Sequence, residues 1–179
     1  MQRMFSQTNV KNSVFIIIAT LCCVYFSGCA SINQLHYSPQ ESQQLGFTVS
    51  GQSALENPPP DRARIYFGRK GSLFGLAIVY KAYFAYNPPY DKYDQVRVSK
   101  AIAQGDFGTL SSGARFVADV GVGVPLAIFA HTEATSYLVF TPMAGRVYCI
   151  EGEVISGAFI GRPQLSFVDR VRCEALFRK

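Results

Sequence analysis

Beyond residue 30 the chain nowhere sustains a helical period with caps. Its apolar segments are short, rich in β-branched and aromatic residues, and closed by Gly, Pro, Asn or Asp. Ala63-Arg64-Ile65-Tyr66-Phe67 stops at Gly68. Leu73 to Tyr86 stops at Asn87-Pro88-Pro89-Tyr90-Asp91, and its length fits one long strand or two short ones. Val96 and Val98 alternate with Arg97 and Lys100. Arg115–Val120, Leu126–Ala130, Tyr137–Thr141 and Val147–Ile155 follow, and Leu165–Val168 runs on towards Phe177. β-branched and aromatic side chains suit a pleated, half-buried surface, and the turn residues punctuate it. Turn signals at intervals of about 8–12 residues predict an all-β sandwich or barrel of seven to nine strands.

Composition narrows the class. Hydrophobic residues make up 49% of the 179, aromatics 13% and charged residues 16%, which excludes a disordered chain. The net charge of +5 includes Arg3 and Lys11 near the start, and no basic cluster exceeds two residues. Nucleic-acid binding needs a concentrated basic stripe, so no nucleic-acid partner is expected.

The first thirty residues read as an address. Residues 1–13 carry Arg3 and Lys11 and no acid, and Val14 to Phe26 is an unbroken apolar run of thirteen. A membrane span needs about 20 such residues, whereas a secretory leader needs fewer. Phe26-Ser27-Gly28-Cys29 then resembles the bacterial lipobox, with Phe26 where Leu is usual. The resemblance implies cleavage after Gly28 and lipidation of the Cys29 thiol, small residues letting the peptidase reach the backbone. Ala30 rather than Asp favours the outer membrane. Cys22 and Cys23 serve as small hydrophobes within the run. The alternatives are an uncleaved helix anchored in the inner membrane and conventional secretion. Residues 30–60, rich in Ser, Gln, Asn and Pro and ending in Pro58-Pro59-Pro60, read as a flexible tether with a short strand possible at Leu45–Val49. The expected division is leader 1–28, lipidated Cys29 and tether 29–60, and β-domain 61–179.

Ala63-Arg64-Ile65-Tyr66, Gly105-Asp106-Phe107-Gly108-Thr109-Leu110, Tyr137-Leu138 and Gly145-Arg146-Val147-Tyr148 together resemble a family of small bacterial outer-membrane lipoproteins of unknown function. The resemblance covers about residues 62–170 and implies a single antiparallel sandwich, immunoglobulin-like or transthyretin-like. These motifs are turn glycines and strand aromatics; they specify shape, and the family offers no catalytic residue to transfer.

Tests for chemistry return little. Only His36 and His131 could supply imidazole, and they stand far apart, so neither a metal nor a cofactor is expected. His131 lies near Glu133, Thr132 and Thr135 but in a turn, and no G-x-S-x-G elbow accompanies it. Glu151 and Glu153 share a strand face and read as solvent-side charges, with Tyr148 and Ile150 inward. Gly121-Val122-Gly123 lacks the residues of a phosphate loop. Cys149 and Cys173 would suit an oxidising compartment, yet strand parity places them on opposite faces, and their pairing stays open.

The remaining signal is aromatic. Tyr80, Tyr83, Phe84, Tyr86, Tyr90 and Tyr93 fall close together beside Lys81 and Lys92 and form a candidate partner-binding surface, with core packing as the competing role. The expectation is a non-enzymatic envelope lipoprotein, anchored by lipid to the outer membrane and facing the periplasm, that docks another envelope protein. A small-ligand or glycan-binding module is the second reading, and an envelope hydrolase built on His131 the third.

Overall fold

A computed structural model describes residues 34–71, 77–90, 97–156 and 161–178. The leader, Cys29 and Tyr93 lie outside the described residues. Among the described residues nine strands form two sheets: β1 (Gln34–His36), β2 (Ala63–Arg69), β3 (Tyr80–Tyr86), β4 (Gly105–Leu110), β5 (Arg115–Val120), β6 (Leu126–His131), β7 (Thr135–Phe140), β8 (Val147–Ile155) and β9 (Arg162–Phe167). One sheet has the order β1-β7-β6-β3-β4 and the other β5-β2-β8-β9. Ile65 and Phe67 of β2 and Ile150 of β8 meet Leu126, Ile128, Leu138 and Phe140 of the facing sheet in a buried core. The all-β sandwich expectation therefore holds at the level of architecture.

Its details differ. The sheets are mixed rather than purely antiparallel: β1 runs parallel to β7, and β2 parallel to β8, with Arg64 opposite Val147. Residues 97–99 form no strand, and a 3-10 turn, Lys100–Ile102, follows them.

From Gln34 onward the polar stretch is not a free tether. β1 adds an edge strand to β7, and α1 (Pro39–Leu45) follows directly. Ser38-Pro39-Gln40-Glu41 builds a capping box. The Ser38 hydroxyl accepts from the Glu41 N–H at 3.3 Å, and the Glu41 carboxylate accepts from the Ser38 N–H at 2.8 Å. The Ser38 hydroxyl also donates to this carboxylate at 2.7 Å, and that bond, followed by the one from the Ser38 N–H, holds the Glu41 carboxyl below its ordinary range. Ser42, fully buried, accepts from the Thr141 N–H at 3.0 Å and fixes the helix to the end of β7. Further on, Phe47 bridges Val147, Leu55 is buried, and the Tyr66 hydroxyl accepts from the Glu56 N–H at 2.7 Å. Polar composition misled here because the apolar anchors, Leu35, Tyr37, Leu45, Phe47, Val49 and Leu55, are spaced too irregularly to mark a face, yet they pack on two clusters of the sandwich.

β9 ends at Phe167 instead of continuing towards Phe177. Asp169 caps α2 (Arg170–Phe177), its carboxylate accepting from the Arg172 N–H at 2.8 Å. The helix lies on the outer face of the β2/β8 sheet. Phe177 meets Tyr66 edge-on at 4.9 Å, and Cys173 is bonded to Cys149 of β8. The parity argument against this disulfide assumed two paired strands. Because Cys173 sits on a helix above the sheet, the outward-pointing Cys149 reaches it, and both are fully buried. The same cover encloses Glu151, which is only 5% exposed rather than solvated and is held by Arg172 through Nε at 2.9 Å. Glu153 stays exposed, and Tyr148 and Ile150 do point inward.

Candidate functional site

The aromatic stretch does not gather into one surface. β3 alternates, so Tyr80, Ala82, Phe84 and Tyr86 pack in or against the inter-sheet core, whereas Tyr83 and Ala85 belong to a cluster on the other face. Tyr80 is 4% exposed, and burial pushes its hydroxyl up to about 12. The Arg69 guanidinium lies over its ring, 5.3 Å from the centroid. Phe84 meets Phe107 at 5.5 Å. Tyr86 spends its hydroxyl as acceptor for the Gly121 N–H at 2.8 Å. Three of the six candidates are thus structural. Tyr90 is 42% exposed, its hydroxyl 3.2 Å from His36 Nε2.

A bulge sets this arrangement. Ala82 faces Gly108 and Tyr83 faces Asp106, which leaves Phe107 as the extra residue on β4 and drives its ring into the core against Phe67. Gly108 adopts a φ of 106°, and a Cβ there would stand 2.7 Å from Phe116 Cε1. Only glycine fits both demands.

Tyr83 stacks on Phe129 of β6 with ring centroids 5.6 Å apart, and Tyr137 and Val139 of β7 extend this outer cluster. Val98, Ile102 and Ala103 pack over it. Beside this cover lies a cleft of about 290 Å³ lined by Val98, Ser99, Lys100, Phe129, His131 and Thr135. Val98 and Phe129 give it an apolar part, and the rest of its lining carries a cation, two hydroxyls and an imidazole. Sequence reasoning missed it because its walls come from three separate segments.

His131 and Thr135 close the β6–β7 hairpin, and His131 Nδ1 lies 2.8 Å from the Thr135 hydroxyl. Glu133 accepts from Arg162 Nε at 3.1 Å. Among the described residues the imidazole thus meets the Thr135 hydroxyl and the Glu133 carboxylate meets Arg162. Among the described residues no group of three His, Cys, Asp or Glu side chains could hold a metal ion. Among them, too, no helix is long and apolar enough to cross a membrane.

A second cleft, of about 190 Å³, opens between the turn after β2, the turn before β5 and the last turns of α2. Arg69, Lys70, Arg115 and Arg172 line it.

Compared with protein-family models, with curated proteins and with solved structures, the chain matches none.

Proposed function

We propose that this is an exported, lipid-anchored envelope protein whose sandwich serves as a non-enzymatic docking module on the periplasmic side of an outer membrane. The observation that carries the reading is the Cys149–Cys173 bond. Disulfides persist in oxidising compartments and are rare in the cytosol, so this bond and the leader pattern at residues 1–29 argue for the same destination. Cys29 is the proposed lipidation site. In this reading the spacer is short, since β1 begins at Gln34. The likeness to the small lipoprotein family, and with it an immunoglobulin-like or transthyretin-like sandwich, belongs to the same proposal; two stacked sheets around one core support it.

A second reading, capture of a small apolar or glycan ligand, is favoured by the cleft beside Phe129 and Lys100.

The test of export is intact mass and membrane fractionation in a Gram-negative host, with Cys29→Ser in parallel. The expected wild type has lost residues 1–28, gained acyl mass and sedimented with the outer membrane, and the variant is released. A full-length mass with unchanged fractionation of the variant would overturn the lipoprotein reading in favour of an uncleaved inner-membrane anchor.

A further inference from the structure

The geometry points to a phosphate-binding cleft between the turn after β2 and the turn before β5. The two segments face each other: Gly113 turns the chain before β5 with a φ of 80°, and the Cβ position of Gly71 lies at ordinary contact distance, 4.0 Å, from the Ser112 hydroxyl. The Arg69 N–H donates to the Ala114 carbonyl at 2.8 Å, which ties the turns together. Cationic groups then converge from three sides. Lys70 follows β2, Arg115 opens β5, and Arg172 projects from α2.

Their states differ in a way that suits an anion. Arg69 takes no part in holding the anion: its guanidinium turns to the core side of β2, over the Tyr80 ring, where Nη1 donates to the Ile78 and Leu110 carbonyls. Arg172 is held in place by Glu151, which takes Nε and Nη2. Lys70 and Arg115 are exposed and have no carboxylate within ion-pair distance among the described residues. The C-terminal end of α2 opposes an anion with roughly half an elementary charge. That is less than either exposed cation supplies, and the Arg178 N–H already takes the Glu174 carbonyl at 2.8 Å. Guanidinium and ammonium donors around a small open cleft suit an oxyanion, and the charge of a phosphate, larger than that of a carboxylate, gains most from two unpaired cations. The occupant is a phosphate group, either free or as a phospholipid headgroup. This inference does not depend on the export reading.

Calorimetric titration of the full chain in non-ionic detergent tests it, with inorganic phosphate, glycerophosphoglycerol and acetate as probes at matched ionic strength. Saturable binding of a phosphate probe is expected, weakened at least tenfold in Lys70→Gln/Arg115→Gln. It should be retained in the charge-conserving Lys70→Arg/Arg115→Lys and in the remote control Arg97→Gln. Tighter binding of glycerophosphoglycerol identifies a lipid headgroup, and tighter binding of inorganic phosphate a free anion. Acetate binding as tightly as phosphate, equal loss in Arg97→Gln, or absence of saturable binding each overturns the proposal.

Discussion

Arg64 on β2 holds Asp119 on β5 with two parallel bonds, Nε to Oδ1 at 2.7 Å and Nη2 to Oδ2 at 2.9 Å, directly across the strand register. Among the described residues β5 pairs with β2 alone, so this fork pins an edge strand. The guanidinium holds the Asp119 carboxyl below the usual carboxylate range. A depressed folded value means that the unfolded state binds the proton more readily. The stabilisation is complete above about pH 4 and fades as pH falls through the lowered value. Asp119→Asn is expected to cost about 0.5–1 kcal/mol at pH 7, as a partly exposed pair would. Urea midpoints at pH 7 and pH 3 check this, and the gap between wild type and variant should narrow in acid.

Cutting the disulfide tests how firmly α2 is held. Cys149 and Cys173 stand 24 residues apart, and a loop of that size corresponds to about 3 kcal/mol of chain entropy. Cys149→Ala/Cys173→Ala, or reduction of the wild type, should lower unfolding stability by about 2–4 kcal/mol. Denaturant titration with and without reductant measures it. Equal midpoints under both conditions would show that the bond does not form.

Gly152 of β8 lies against the tip of Tyr80 of β3. A Cβ there would lie 2.6 Å from the Tyr80 hydroxyl oxygen and 3.2 Å from Phe67 Cε2. The tyrosine tip can swing only by giving up its place over a packed core, so Gly152→Ala should destabilise by about 1–3 kcal/mol. Thermal melts suffice to check it, and pairing with Tyr80→Phe should relieve part of the cost.

The aromatic stretch separates by substitution. Tyr80→Ala empties a core site and should cost about 3–5 kcal/mol, whereas Tyr90→Ala should change stability by about 0.5 kcal/mol or less. Comparable losses at both positions would mean that Tyr90 is packed rather than exposed. Partner capture through this face is better sought with Tyr83 and Tyr90 than with Tyr80 or Tyr86.

How far the sequence carried the fold depended on the kind of signal. β2, β6, β7 and β8 were legible because their β-branched and aromatic residues are bounded by turn residues on both sides. α1 was legible in principle, since Ser38-Pro39 followed by Glu41 is a helix start, but its seven residues are too few to display a period. α2 hides better. Its eight residues present only Cys173 and Leu176 as buried positions, and Asp169 is the single clue. Misreading it as strand is what made the disulfide look geometrically awkward. Neither cleft was visible beforehand, because each is assembled from segments that meet only through the sheet order.

The parallel alignment of β2 with β8 bears on how the chain must mature. Arg64 finds its partner Val147 only after most of the intervening strands have been made, and β8 in turn carries the cysteine awaiting α2. Contacts so distant in sequence are slow to form, and this sheet cannot zip up from the N-terminus as the chain emerges. Strand β2, with its apolar inner face, must wait beside β5 alone until the last quarter of the polypeptide arrives. The interval before closure is when this protein is most exposed to proteases and most in need of a chaperone.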